Sequence, residues 1–287
     1  MSSSFQSRIT NIIEEIKLSK VNLLNINNIG VKIISVSFGN DIKSNESRYR
    51  AAVIFAHNLN KRGIIGPGSA DGWTLLVNLK LNSFSNKYKT ELESLGCTVF
   101  YVNYNEVYMY SIDRYLVHDI PNVHCFISVD SHYVWDDKII DKFLIETKKW
   151  NDSAYPVTGY RTANQFQSER KLMGGWFGIQ KLNEKYSSLV MSDLVICFFE
   201  QIDEELFVKT MKYGIDEVFI TWLINHDSYQ CLELKELLNV GSGNLPPDAK
   251  YRIAEKNSSY DSMQISNWYN DAVKSITGDE TGRCIYL

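Results

Sequence analysis

Apolar positions along the first 150 residues alternate between two spacings. Ile9, Ile12, Ile13 and Ile16 recur every three or four residues, which predicts an amphipathic helix over 6–20. "VKIISVSF" (31–38) is instead short and β-branched, and it runs into Gly39-Asn40-Asp41, the pattern of a strand entering a loop. "NESRYRAAVIFAHNLNKRG" (45–63) places Ala51, Ile54, Phe55 and Leu59 on one helical face, with Gly63 as its stop. A strand "TLLVNLK" (74–80), a charged helix over 87–95 ending at Gly96, and a strand "CTVFYVN" (97–103) follow. Then come a helical "MYSIDRYLV" (109–117), a strand "HCFISVD" (124–130) and a helix "DDKIIDKFLIETKKW" (136–150).

Beyond residue 150 the pattern loosens. "YPVTGYR" (155–161) reads as a strand and "LMGGWFGIQ" (172–180) as a glycine-rich aromatic turn. Helices are expected over 203–213 and 216–225, a loop over "NVGSGNLPPDAK" (239–250), and a last helix over 261–276. There is no internal repeat, low-complexity tract or linker, so one domain over 1–287 is expected, with natural divisions at 30–135, 136–235 and 236–287. Strand alternating with helix predicts an α/β fold: a mostly parallel central sheet, Rossmann-like, with helices on both faces. Such sheets take ligands at the carboxyl ends of their strands.

Composition changes this picture little. With 44% hydrophobic and 22% charged residues the 287-residue chain is an ordinary globular one, and a net charge of -4 argues against a nucleic-acid partner. The five cysteines are scattered and form no C-x-x-C pair, which disfavours a zinc site or a disulfide framework and suggests a reducing compartment. The opening "MSSSFQSRIT" lacks the profile of a secretion signal, and no apolar run approaches the roughly 18–20 residues of a membrane span. A soluble, cytoplasmic protein is the expectation. Asn, Ile, Lys and Tyr are plentiful and Pro numbers only 5, a bias that fits an AT-rich genome.

The candidate chemistry starts at "FISVDSHYVW" (126–135), where an apolar strand ends on Asp130 and His132. Residues two apart on a strand point the same way, so a carboxylate and an imidazole converge from one edge. Together they can complete the shell of Mn²⁺ or Mg²⁺ with diphosphate oxygens, and a bound cation stabilises the charge on a departing nucleoside diphosphate. A solvated polar turn is the plain alternative.

The text "CFISVDSHYVWDDKIIDKFLIETKKW", followed by "YRTANQFQSERKLMGGWFGIQ", resembles the GT-A glycosyltransferases. In particular it resembles a family of glycosyltransferase-like proteins of bacteria and large viruses. Members carry a strand ending in D-x-D, a helix ending in tryptophan, and an arginine-containing loop before a "GGMWG" turn. "VKIISVSFGND", "RYRAAVIFAHNL", "GWTLLVNL" and "IDEVFITWLINHDS" resemble further parts of the family, so that the likeness runs over about 30–230. It implies a GT-A fold whose half at 30–135 binds a nucleotide sugar and whose half at 136–235 faces the acceptor.

By the same resemblance, Asp130 and His132 hold the metal and diphosphate, with Ser131 between them and His226 as a third metal ligand. His132 departs from the family's second acid, which an imidazole can replace as a Mn²⁺ ligand. Ser37, Phe38 and Asp41 match the loop that receives the nucleoside, and Arg114 a position that contacts the nucleotide. Gly174, Gly175 and Trp176 match the turn beside the transferred sugar, and Asp216 or Glu217 the base at the acceptor hydroxyl. Arg161 and Arg170 are candidates for phosphate or acceptor oxygens. The implied partners are a nucleoside-diphosphate sugar, with a UDP-sugar favoured, and a glycan or other hydroxyl acceptor.

These residues also have plain readings. Asp216 and Glu217 are helix-opening acids, His226 a helix C-cap, Trp176 a core side chain, and Asp41 a turn residue. His57, His118 and His124 have no partner pattern. A sugar nucleotidyltransferase is a rival, weakened because "SFGNDIKSNESRYR" has a single glycine where such enzymes carry a phosphate loop. A catalytically degenerate relative that binds or assembles glycans is the other.

Overall fold

The computed structural model describes residues 3–27, 29–38, 42–66, 69, 71–80, 83–130, 137–153, 157–159, 176–181, 187–210 and 215–225. Its centre is a six-stranded sheet. The strands are β1 (Lys32–Phe38), β2 (Trp73–Lys80), β3 (Thr98–Val102), β4 (Cys125–Val129), β5 (Val157–Gly159) and β6 (Trp176–Gln180), in the spatial order β3-β2-β1-β4-β6-β5. β1 pairs in parallel with β2 and β4, and β2 with β3, whereas β6 runs against both β4 and β5. The expected mostly parallel α/β sheet is therefore what forms. The interiors of β1, β2 and β4 are buried and largely apolar because helices cover both faces of the sheet.

The helices are α1 (Ser3–Leu24), α2 (Ile42–Lys61), α3 (Ser83–Ser94), α4 (Met109–Ile112), α5 (Asp137–Asn151), α6 (Met191–Gln201), α7 (Glu204–Thr210) and α8 (Ile215–Asn225). On α1, Phe5, Ile9, Ile12, Ile16 and Leu23 form one buried stripe, joined to residues of α6 and α8 in the core on one face. The other face has its own core, in which Phe55 and Leu59 of α2, Leu92 of α3 and Phe143 of α5 meet Ile34, Leu75 and Ile127 of the strands. Gly63 and Gly96, the predicted stops, adopt φ of 67° and 82°, which only glycine takes without strain.

Two expectations are corrected. The continuous helix over 109–117 is in fact α4 followed by a 3₁₀ helix, Asp113–Asp119, whose first six residues are all buried. The glycine-rich "turn" at 172–180 contains β6, an interior strand that pairs Val129 with Trp176 and Ile127 with Gly178. The buried side chains of Phe177 and Ile179 outweigh the poor strand preference of Gly178. The predicted loop and helix beyond residue 225 lie outside the described residues. Among the described residues no helix is long and apolar enough to cross a membrane.

Candidate functional site

The strand order fixes where a ligand can sit. From β1 the chain moves outward to β2 and β3, then returns to place β4 on the other side of β1. Connections diverge at that point, and sheets of this kind take their ligands there, beyond the carboxyl ends of β1 and β4. The ladder pairs Ser35 with Ser128, and the same offset carried two residues further aligns Ser37 with Asp130. Both lie at the carboxyl ends of their strands.

Arg114 is the centre of this site. Its side chain is only 6% exposed, and its guanidinium donates to Asp130 Oδ1 at 2.8 Å and to Asp216 Oδ2 at 2.5 Å. Nε donates to the Ser111 carbonyl at 3.0 Å, which locks the side chain to the turn it leaves. Burial alone would pull Arg114 down, but Tyr115, Asp130 and Asp216 outweigh it and hold the group well above its ordinary value, fully charged. Tyr115 packs edge-on against Phe177 of β6 and touches Phe219 of α8, one turn beyond Asp216. That contact seats α8 so that its first turn meets Arg114.

Asp130 and Asp216 are 27% and 14% exposed, so the pair is partly open to solvent rather than part of the core. One guanidinium thus faces two carboxylates whose oxygens are partly open. Such a donor set suits a hard divalent cation. Among the described residues, however, no group of three or more His, Cys, Asp or Glu converges as a metal shell.

Beside this cluster lies a second polar line. Asn78 Nδ2 donates to Ser37 Oγ at 3.0 Å, and the Ser37 hydroxyl donates to Asp113 Oδ1 at 2.5 Å. Asp113 is 1% exposed, and its Oδ2 has no hydrogen-bond partner among the described residues. Burial pushes its carboxyl up to about 8, against the opposing pull of the Ser37 bond and the Arg114 charge. Near neutral pH it is a buried, largely protonated acid beside a charged cluster.

Of the residues singled out in the sequence, Ser37, Arg114, Asp130 and Asp216 thus come to one end of the sheet. Phe38 lies at the same end but faces the other side of the sheet, buried in the core there and stacked on Tyr49 at 4.7 Å, as strand alternation after Ser37 requires. Trp176 pairs with Val129, one residue before Asp130. Glu217 lies in α8 next to Asp216, and the side chains of these two, Trp176 and Glu217, are outside what is described. Asp41, Ser131, His132, Arg161, Arg170, Gly174, Gly175 and His226 lie outside the described residues. Sequence reasoning missed Asp113 and Asn78. The one available signal was an acid directly before the singled-out Arg114.

No protein-family model matches the chain, and no curated protein sequence does. Among solved structures it is similar to a cytidylyltransferase from Leptospira borgpetersenii, with 12% identity over 90% of this chain and 99% of that one and a TM-score of 0.41. It is similar to mouse xyloside xylosyltransferase 1, with 12% identity over 74% and 84% and a TM-score of 0.40. A third is the mannosyltransferase PcManGT from Pyrobaculum calidifontis, solved with GDP-Man and Mn²⁺, with 11% identity over 62% and 55% and a TM-score of 0.35. At these scores the likenesses assign no activity.

Proposed function

We propose that the chain is a GT-A-type glycosyltransferase, moving a sugar from a nucleoside-diphosphate sugar to a hydroxyl acceptor in the crevice beyond β1 and β4. The observation that carries this reading is the Arg114–Asp130–Asp216 cluster at the point where the strand connections diverge. The motif likeness of "VDSH" and "GGWFG" supports it from the sequence side.

In this reading Ser37 faces the nucleoside, and Asp130 with His132 and His226 holds a divalent cation, Mn²⁺ or Mg²⁺. When bound, such a cation neutralises charge on the departing diphosphate. Asp216 accepts the proton of the attacking hydroxyl as the bond from the sugar's anomeric carbon to the diphosphate breaks, with Glu217 as the neighbouring alternative. Arg114 positions both carboxylates and, once Asp216 is protonated, keeps Asp130 paired. Positioning and charge stabilisation then supply most of the catalysis. A UDP-sugar is the favoured donor, and a glycan hydroxyl the favoured acceptor.

The test is thermal stability with UDP, GDP and CMP and their sugars, with and without Mn²⁺, on the parent, Asp130→Asn and Asp216→Asn. A ligand at a hundredfold excess over Kd stabilises by about 2.7 kcal/mol. We expect a Mn²⁺-dependent shift with one nucleotide, lost in Asp130→Asn. Asp216→Asn should keep that shift but lose sugar transfer. Absence of a shift with every nucleotide would overturn the assignment and leave the degenerate relative as the better reading.

A further inference from the structure

At the other end of the sheet, where β4 begins and β6 ends, a pocket of ≈ 580 Å³ is lined by Lys20, His118, Asp119, His124 and Lys181 among others. His118 is 1% exposed, and neither ring nitrogen has a hydrogen-bond partner among the described residues. Asp119 Oδ1 lies 3.8 Å from its Nδ1, beyond hydrogen-bond reach. A buried imidazole with both nitrogens unmet is costly unless something else satisfies them.

The charges around it are lopsided. Among the described residues Asp119 is the one carboxylate on the lining, and its two oxygens accept the Met191 and Ser192 N–H groups at 2.5 and 2.9 Å. Its charge is thereby absorbed by the start of α6. Lys181 is half-buried and forms no ion pair among the described residues, and burial lowers its ammonium against the weaker pull of Asp119. Lys20 of α1 stands 3.7 Å from Asp193 of α6, a largely exposed partner that competes weakly with a ligand. Two ammonium groups and an unsatisfied imidazole therefore face one cavity, with Leu24, Leu189 and Val190 completing its wall.

We infer that this pocket binds a small phosphate-bearing anion at a site separate from the β1–β4 crevice. Lys181 and Lys20 pair with its charge and His118 donates to one of its oxygens. The 3₁₀ helix Asp113–Asp119 joins the two ends, since Arg114 grips Asp130 and Asp216 four residues before His118. An anion at His118 thus bears on the segment that carries Arg114, as an effector would.

The experiment is isothermal titration of the full chain with inorganic phosphate and pyrophosphate in EDTA, so that neither metal nor sugar nucleotide takes part. Saturable binding is expected in the parent, weakened at least tenfold in Lys181→Met and in His118→Asn and unchanged in Asp130→Asn. Lys181→Met alters a half-buried side chain after the end of β6, so it tests the site even where His118→Asn fails to fold. Absence of saturable binding, or binding lost in Asp130→Asn and kept in Lys181→Met, would overturn the inference. Either result leaves the glycosyltransferase reading to its own test.

Discussion

Replacing Asp113 by asparagine keeps the acceptor for the Ser37 hydroxyl while removing the proton-binding site. The folded chain holds this carboxyl near 8, against an ordinary value of 3.8, because it is buried. Between about pH 4 and 8 the unfolded chain has released that proton and the folded chain has kept it. Stability therefore falls as pH rises through this window and levels off above it. At about 1.4 kcal/mol per pKa unit, the gap sets a ceiling of about 6 kcal/mol. Relaxation around a buried charge leaves roughly 2–4 kcal/mol to be observed. Urea unfolding of parent and Asp113→Asn at pH 5, 6, 7 and 8 measures it. The variant should gain on the parent steadily over this range, with Ser37 and Asn78 unchanged. Parallel profiles would refute the reasoning, showing that Ser37 and Arg114 keep Asp113 ionised throughout.

Arg114→Met removes the cation shared by Asp130 and Asp216, and should cost about 3–5 kcal/mol in urea unfolding, towards the lower figure because both are partly exposed. In an Asp216→Asn background the same change should cost measurably less, as coupled neighbours do. Gly96→Ala should lower stability by about 1–3 kcal/mol, because its φ is 82° and the new Cβ would come within 2.6 Å of Gly66 Cα. Gly63→Ala, at φ 67° with nothing within 4 Å, should cost only about 1 kcal/mol, and thermal unfolding of the two compares them. Cys97, buried with its thiol pushed up to about 12, should resist iodoacetamide in native protein and react on unfolding, as mass spectrometry would show.

β1, β2 and β4 were legible because each is buried on both faces and so leaves a short, largely apolar run, as in "CFISV". β6 was not, since Gly174, Gly175 and Gly178 carry the signature of a turn, and pairing to β4 and β5 is a long-range fact. α6 also escaped notice. Its N-cap position is Val190, without a capping side chain, and the cap comes instead from Asp119, distant in sequence. At the site, Arg114, Asp130 and Asp216 could each be singled out by motif or position. Their convergence could not, because it depends on Tyr115 seating α8. Asn78 was hidden inside an apolar strand, where only its cross-strand partner Ser37 explains a polar residue.

The two cores draw on very different lengths of chain. The one containing Phe55 and Phe143 uses residues between Ile34 and Trp150, whereas the one containing α1 runs from Phe5 to Leu223. During synthesis every residue of the first core has left the ribosome well before α8 is made. The apolar stripe of α1, which emerges before any strand of the sheet, gains its α8 neighbours only after that first core is complete. The interval of exposure falls on Phe5, Ile9, Ile12 and Ile16, which is where a chaperone would find this nascent chain.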